Sequence, residues 1–195
     1  MAIAEQFISQ KLLTYEDYLT EGVVYGRYDI IDGERITMAS PTDGHQDIVG
    51  NIYELLRVYQ RRARIGKAIF APSDVLVTRR PLRTRQPDVL FISYERYTGR
   101  NPQIAEPISP APELVVEVLS PSETRSIRAG KIRDFCTVDV KECWVVNVDD
   151  QTAEVLRLTS EGPVREALYG LGQTLQSLTF PDLTIALDDI FRVEE

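Results

Sequence analysis

Apolar residues recur along this chain with two different periods, and the two alternate. Between residues 45 and 64, Ile48, Ile52, Leu55, Leu56 and Tyr59 fall on one side of a 3.6-residue turn, which predicts an amphipathic helix. Upstream, Thr14 and Asp17 have capping-box spacing and open a short helix through about Leu19. The run VVYGRYDIIDGERITMA follows, with Asp32-Gly33 between two β-rich halves, a pair that suits a tight hairpin turn. KAIFA (67–71), DVLVT (74–78), PDVLFIS (87–93) and ELVVEVLS (113–120) are apolar runs of strand length. Four prolines between residues 94 and 112 mark a loop. A second helix is expected from about 123 to 138. It is followed by a buried strand in KECWVVNVD (141–149), its hairpin partner in AEVLRLT (153–159), and a final strand or short helix in LTIALDDIF (183–191). Strands interleaved with helices predict one α/β domain over residues 12–195, with residues 1–11 as a tail. Its central mixed β-sheet is flanked by helices, with a helix and hairpin at the N-terminus and extra strands at the C-terminus.

The 195 residues, 43% of them hydrophobic, suffice for one core. No apolar run approaches the roughly 20 residues that span a bilayer. The N-terminus, MAIAEQFISQKLL, carries an acid early and no long apolar stretch, so it does not read as a signal peptide. The expected compartment is the cytoplasm. Cys136 and Cys143 lack a CxxC partner, which argues against zinc; both are expected to be reduced and packed inside. The single histidine, His45, rules out HExxH and multi-histidine centres, and no GxSxG elbow occurs. An enzyme built from this chain would rely on carboxylates and lysine.

A net charge of −8 opposes a nucleic-acid partner until its distribution is considered. Arg57, Arg61, Arg62, Arg64, Lys67, Arg79, Arg80, Arg83 and Arg85 fall in one stretch whose only acid is Asp74. Such polarisation suits a phosphate-facing surface, and it equally suits a solvated helix face followed by a solvated loop. The arginines at the end of the first long helix also complement its dipole.

Glu117 interrupts the apolar strand Leu114-Val-Val-Glu-Val-Leu119. A bare buried carboxylate costs several kcal/mol, so a metal ion, a basic partner or an exposed edge must compensate it. Asp88 likewise opens the apolar run Pro87-Asp-Val-Leu-Phe-Ile. If the two strands are neighbours, both acids reach one spot, where they repel unless a cation such as Mg²⁺ joins them. Lys131, about two turns into the next helix, can point back at the strand and orient or deprotonate a water. Each residue alone has an ordinary reading: a paired acid, a Pro-Asp turn, a surface lysine.

The order Pro87-Asp88, Glu117-Val-Leu119 and Lys131 resembles the PD-(D/E)xK nuclease superfamily, in a form whose lysine has moved from the strand to the next helix. Other segments are similar to a large bacterial family, numerous in cyanobacteria, of uncharacterised proteins described as restriction endonucleases. They include Thr14–Leu19, Arg27–Glu34, Ser40-Pro41 with His45-Gln46, Gln86-Pro-Asp88, Leu114–Ser122, Lys131 and Glu142–Val146. The similarity runs over about residues 12 to 190. It implies a restriction-endonuclease-like core in which Asp88, Glu117 and the backbone carbonyl of Val118 hold Mg²⁺ or Mn²⁺. Lys131 is then the migrated lysine, Glu34 the additional acid, and His45 a residue facing the site. The chain departs from the family's pattern at Ile127, where an acid is common, at Trp144–Asn147 in place of WLVDP, and at Phe135 in place of tyrosine.

The resemblance implies a metal-dependent endonuclease hydrolysing phosphodiester bonds of nucleic acid, with DNA the expected substrate and a homodimer the expected assembly. Arg57, Arg61, Arg62, Arg64, Lys67, Arg79 and Arg80 would then grip the phosphates. Two alternatives share the residues. One is a nucleic-acid-binding or self-association module in which Glu117 is a structural ion pair. The other is a phosphatase or small-molecule hydrolase using the same carboxylates.

Overall fold

The computed structural model describes residues 12–99, 101, 104–120 and 123–192. The predicted tail, residues 1–11, lies outside the described residues. In chain order the elements are α1 (Tyr15–Glu21), β1 (Tyr28–Ile31), β2 (Glu34–Thr37), α2 (Asp43–Ala63), β3 (Gly66–Phe70), β4 (Val75–Arg79), β5 (Leu82–Arg85) and β6 (Val89–Ser93). There follow α3 (Tyr94–Tyr97), β7 (Leu114–Val118), α4 (Arg125–Thr137), β8 (Glu142–Asn147), β9 (Thr152–Thr159), β10 (Gly162–Tyr169), β11 (Thr174–Gln176), β12 (Thr184–Ala186) and α5 (Leu187–Ile190). Among the described residues, no helix is long and apolar enough to cross a membrane.

The central sheet is mixed, in the order β10-β9-β8-β7-β6-β3. Only β7 and β8 run parallel, joined by the α4 crossover; the other neighbours are antiparallel. Alternation along each strand divides the core between two faces. Val89, Phe91, Leu114, Val116, Trp144 and Val146 pack with Ile48, Ile52, Leu56 and Tyr59 of α2. Leu90, Ile92, Val115, Cys143 and Val145 pack with Ile132 and Phe135 of α4. Each large side chain so buried contributes about 1.5–3 kcal/mol.

Helix boundaries follow side-chain caps. Thr14 accepts from the Asp17 amide at 3.0 Å while Asp17 accepts from the Thr14 amide, the reciprocal box expected. Thr42 caps α2 and Thr124 caps α4, which sets the N-cap of α4 one residue after the expected start at 123. Asp32 and Gly33 take φ of 52° and 86° in the β1–β2 turn, where a Cβ on Gly33 would sit 2.9 Å from that of Leu12. A side chain there is excluded by backbone angle and by space alike.

The structure differs from the sequence-based expectation in several places. β4 and β5 do not enter the central sheet; they join the N-terminal hairpin in a separate sheet ordered β2-β1-β5-β4. β10 has a polar, mostly exposed pattern with a bulge between Arg165 and Ala167, so periodicity gave no sign of it. Those are the features that protect an edge strand. The proline-rich loop contains the one-turn α3, and residues 183–191 form both a strand and a helix. Cys143 is fully buried as expected, whereas Cys136 is only half-buried, on the outer side of α4.

Glu142 fixes the C-terminal segment to the sheet. It is fully buried and accepts from Trp144 Nε1 at 2.6 Å, Ser177 Oγ at 2.7 Å and the Thr179 amide at 2.9 Å. Glu142→Ala strips the carboxylate from the buried Trp144 Nε1 and Ser177 Oγ, while the Thr179 amide keeps Ser177 Oγ at 3.2 Å. It is expected to cost about 3 kcal/mol in urea unfolding, each orphaned donor contributing about 1–3 kcal/mol. A loss below about 1 kcal/mol would show that water replaces the carboxylate.

Candidate active site

Register brings the two acids together. Val89 pairs with Val116, and the Asp88 amide donates to the Val116 carbonyl at 3.1 Å, so Asp88 stands beside Glu117 at the end of adjoining strands. Val89 and Val116 belong to the α2 face; Asp88 and Glu117, one residue on, alternate onto the face that α4 covers. Lys131 comes from α4, one turn before Phe135 anchors that helix, and its Nζ lies 2.5 Å from Glu117 Oε2. All three side chains are buried.

Asp88 is held on three sides. Its Oδ2 accepts from the Val118 amide at 2.7 Å, its Oδ1 pairs with Arg27 at 2.5 Å, and His45 Nε2 stands 3.6 Å from Oδ2. His45 reaches down from the first turn of α2, and its Nε2 lies 3.1 Å from the Val118 carbonyl. Among the described residues, the buried side-chain atoms without a hydrogen-bond partner include Glu117 Oε1, Asp88 Oδ1 and His45 Nδ1. The side chains of Asp88, Glu117, His45 and Lys131 line a cavity of about 300 Å³. Its lining also includes the apolar side chains of Ile31, Ile36, Met38 and Ile127.

The electrostatics distinguish the two acids. Burial pushes the Glu117 carboxyl up, from 4.5 to about 8, and Asp88 adds to the rise although Lys131 opposes it. Burial also acts on Asp88, but the His45 ring and the charges of Arg27 and Lys131 outweigh it and hold that carboxyl below its ordinary value. Lys131 is raised: Glu117, Asp29 and Asp88 together overcome the burial that would discharge it.

Behind the cavity lies a buried ion network. Arg85 donates from NH1 to Asp29 at 2.7 Å and from Nε to Asp134 at 2.7 Å, and Arg83 ties Asp134 to Asp32. Asp29 also accepts from the Gln86 amide at 3.0 Å, next to Pro87-Asp88. The network therefore fixes the β5–β6 connection from which Asp88 projects.

Sequence reasoning placed Glu34 in this site, and the structure does not. Glu34 is exposed at the start of β2, next to the hairpin turn, and is absent from the cavity wall. Asp29, on the paired strand β1, lines the cavity instead. The available signal was an acid inside the otherwise apolar run Tyr28-Asp-Ile-Ile31, the same signal that singled out Glu117. Arg27 was also missed, because nothing local marks an arginine that pairs 61 positions away. At Ile127 no acid faces the site, but Glu123, one turn earlier, lines the cavity with its carboxyl raised by burial.

The basic stretch does not form one surface. Arg61 and Arg64 lie at the C-terminal end of α2, about 24 Å along that helix from His45 at 1.5 Å per residue. Arg57 donates to Gln60, and Arg62 donates to the Asp182 carbonyl at 2.6 Å. Lys67 bonds the Tyr97 hydroxyl, Arg79 stacks on Tyr15 and Arg80 pairs with Glu16. Arg83 and Arg85 serve the buried network. Three elements, α2, β3 and the β4–β5 hairpin, divide the stretch.

A mixed sheet with a parallel crossover pair, flanked by helices, with two acids and a lysine at one end of its central strands, defines a restriction-endonuclease-like α/β protein. Residues 21–188 match a family described as Uma2, "Putative restriction endonuclease", and the chain belongs to that family. Among solved structures, the chain is similar to a crystal structure described as a "putative nuclease belonging to DUF820" from Anabaena variabilis. The TM-score is 0.71 at 18% identity, covering 92% of this chain and 97% of the other, which establishes a shared fold. No curated protein matches the chain.

Proposed function

We propose that this protein is a metal-dependent endonuclease that hydrolyses phosphodiester bonds, with Asp88, Glu117 and Lys131 as its catalytic residues. One observation carries the reading. Two acids on neighbouring strands share a face, a lysine from the crossover helix stands 2.5 Å from one of them, and the buried Glu117 Oε1 has no partner. Two carboxylates and the Val118 carbonyl form a hard oxygen donor set that suits Mg²⁺ or Mn²⁺. Among the described residues no three His, Cys, Asp or Glu groups cluster as a ready-made site. That fits Mg²⁺, which keeps several waters and takes one or two carboxylates from the protein. Such an ion supplies Lewis acidity toward the phosphate and lowers the pKa of adjacent water.

The chain's own residues do the rest. Lys131 carries positive charge where a phosphoryl oxygen gains negative charge, and its N–H groups can orient the attacking water. His45 fixes the Val118 carbonyl and with it the end of β7. Arg27, on the less buried side of Asp88, offers a guanidinium to the incoming phosphate. Asp29 stands where the additional acid was expected at Glu34, and it acts as a positioning residue through Arg85. In a homodimer two such cavities would address two strands, and sedimentation would give the mass of the pair.

The test is nicking of circular DNA, with an RNA strand in parallel, in Mg²⁺ or Mn²⁺. Asp88→Asn and Lys131→Met are each expected to lower the rate at least about a hundredfold while circular dichroism is unchanged. Wild-type rates in either variant would overturn the assignment. A second reading rests on the cations already seated on both carboxylates, Lys131 on Glu117 and Arg27 on Asp88. A site closed in this way would be a binding module without catalysis. Equal and weak calorimetric titration of Mn²⁺ into wild type and Glu117→Ala would favour it.

A further inference from the structure

α4 forms a wall between two concavities. Ile127 and Lys131 face the acidic cavity, while the helix's other side, with the β9–β10 turn, lines a groove of about 530 Å³. Arg125, Arg128 and Arg133 all line that groove. At 100° per residue, Arg128 stands about 60° from Lys131, on the shoulder of the helix between cavity and groove. It is close enough to Glu123, a cavity residue, for its charge to oppose the rise that burial imposes on that carboxyl.

Unlike Arg83 and Arg85, these three guanidinium groups have no carboxylate in ion-pair contact among the described residues. Among the described residues that line the groove, the one acid is Glu161, in the facing turn. From Arg125 to Arg133 the helix rises about 12 Å, and a nucleic-acid strand carries one phosphate per about 3.4 Å of axis. The row therefore spans about three successive phosphates. In a chain of net charge −8, an unneutralised row beside the cavity is a local attraction for a polyanion.

We infer that the groove along α4 is the phosphate track of a nucleic-acid strand, which runs over Arg125, Arg128 and Arg133 in turn and passes the acidic cavity at Arg128. The inference rests on the nuclease reading for its substrate class. It moves the phosphate grip away from the far end of α2. The three contacts are with backbone phosphates, so they bind without reading sequence.

The test is fluorescence anisotropy of a labelled DNA duplex over a range of salt, with chelator present so that nothing is cut. A labelled single strand and an RNA duplex form parallel arms. The triple variant Arg125→Ala, Arg128→Ala, Arg133→Ala keeps the helix, because alanine favours it. It is expected to weaken binding at least about tenfold and to reduce the slope of log K against log salt by about 2 to 3. The triple Arg→Lys variant should keep most of the slope, since charge is retained, and Glu161→Gln should tighten binding. An unchanged slope in the alanine variant overturns the track. So does loss of the slope on Arg61→Ala with Arg64→Ala alone, or failure of wild type to bind any of the three polynucleotides. Catalysis is scored separately. If Glu117→Gln cuts at the wild-type rate, the nuclease assignment falls while the anisotropy result stands.

Discussion

Glu117→Gln is expected to abolish nicking and at the same time to make the metal-free protein more stable near neutral pH. The two effects have one origin. Glu117 is buried at the end of β7 with one oxygen on Lys131 and the other without a partner. Burial raises its carboxyl from 4.5 to about 8, so between these values the folded state holds a proton that the unfolded chain has released. The folded state binds more protons in that window, so its stability falls as pH rises, by about 1.4 kcal/mol per unit at most. Stability from this group is fully present below pH 4.5 and is lost as pH passes through about 8, on the order of 5 kcal/mol in all. Glutamine occupies the same space without a titration.

Urea unfolding in chelator should therefore show the wild type losing stability from pH 5 to 8 and the variant showing a flatter profile. A divalent ion should restore wild-type stability at the upper end and leave the variant unmoved, because ligand bound to the native state adds stability by mass action. Parallel pH profiles for the two proteins would sink the electrostatic account. Retained nicking would sink the catalytic one.

The second large effect is structural. Arg85→Leu is expected to destabilise the fold by about 3–5 kcal/mol, because it strips a buried guanidinium from two buried acids. Arg85 spans Asp29 and Asp134 at 2.7 Å each. Without it, Asp134 keeps Arg83 at 2.9 Å and Asp29 keeps the Gln86 amide at 3.0 Å, so neither acid is fully abandoned. Adding Asp29→Asn to Arg85→Leu should return part of the loss, and a double-mutant cycle measures that coupling. Because Asp29 and Gln86 fix the start of β6, the variant should also weaken Mn²⁺ binding at Asp88. A midpoint within about 0.5 kcal/mol of wild type would mean that water replaces the guanidinium.

The elements differ in how far they were legible before the fold was known. The α2 face was plain, since Ile48, Ile52, Leu56 and Tyr59 repeat with the helical period over about three turns and every one of them is buried. β6, β7 and β8 read as continuous apolar runs because both of their faces are covered. β10 left no signal, since an exposed edge strand carries no hydrophobic alternation. β5 was hidden by its own chemistry: Leu82-Arg-Thr-Arg85 buries an arginine, and burial by ion pairing has no signature in hydrophobic periodicity.

For the site, sequence alone was enough to single out Asp88 and Glu117, because an acid inside an apolar strand has few inexpensive solutions. Lys131 followed from helix spacing and from the family's pattern. Tertiary structure alone decided three things. Register placed the two acids side by side and on one face. Strand pairing put Asp29, rather than Glu34, against the cavity. The division of residues 57–85 among α2, β3 and the β4–β5 hairpin split the basic stretch, while α4 carries three arginines that have no ion-pair carboxylate among the described residues. The physical reason is common to all three. Local sequence sets which residues share a helix face or a strand face, whereas which faces meet depends on pairings between segments far apart in the chain.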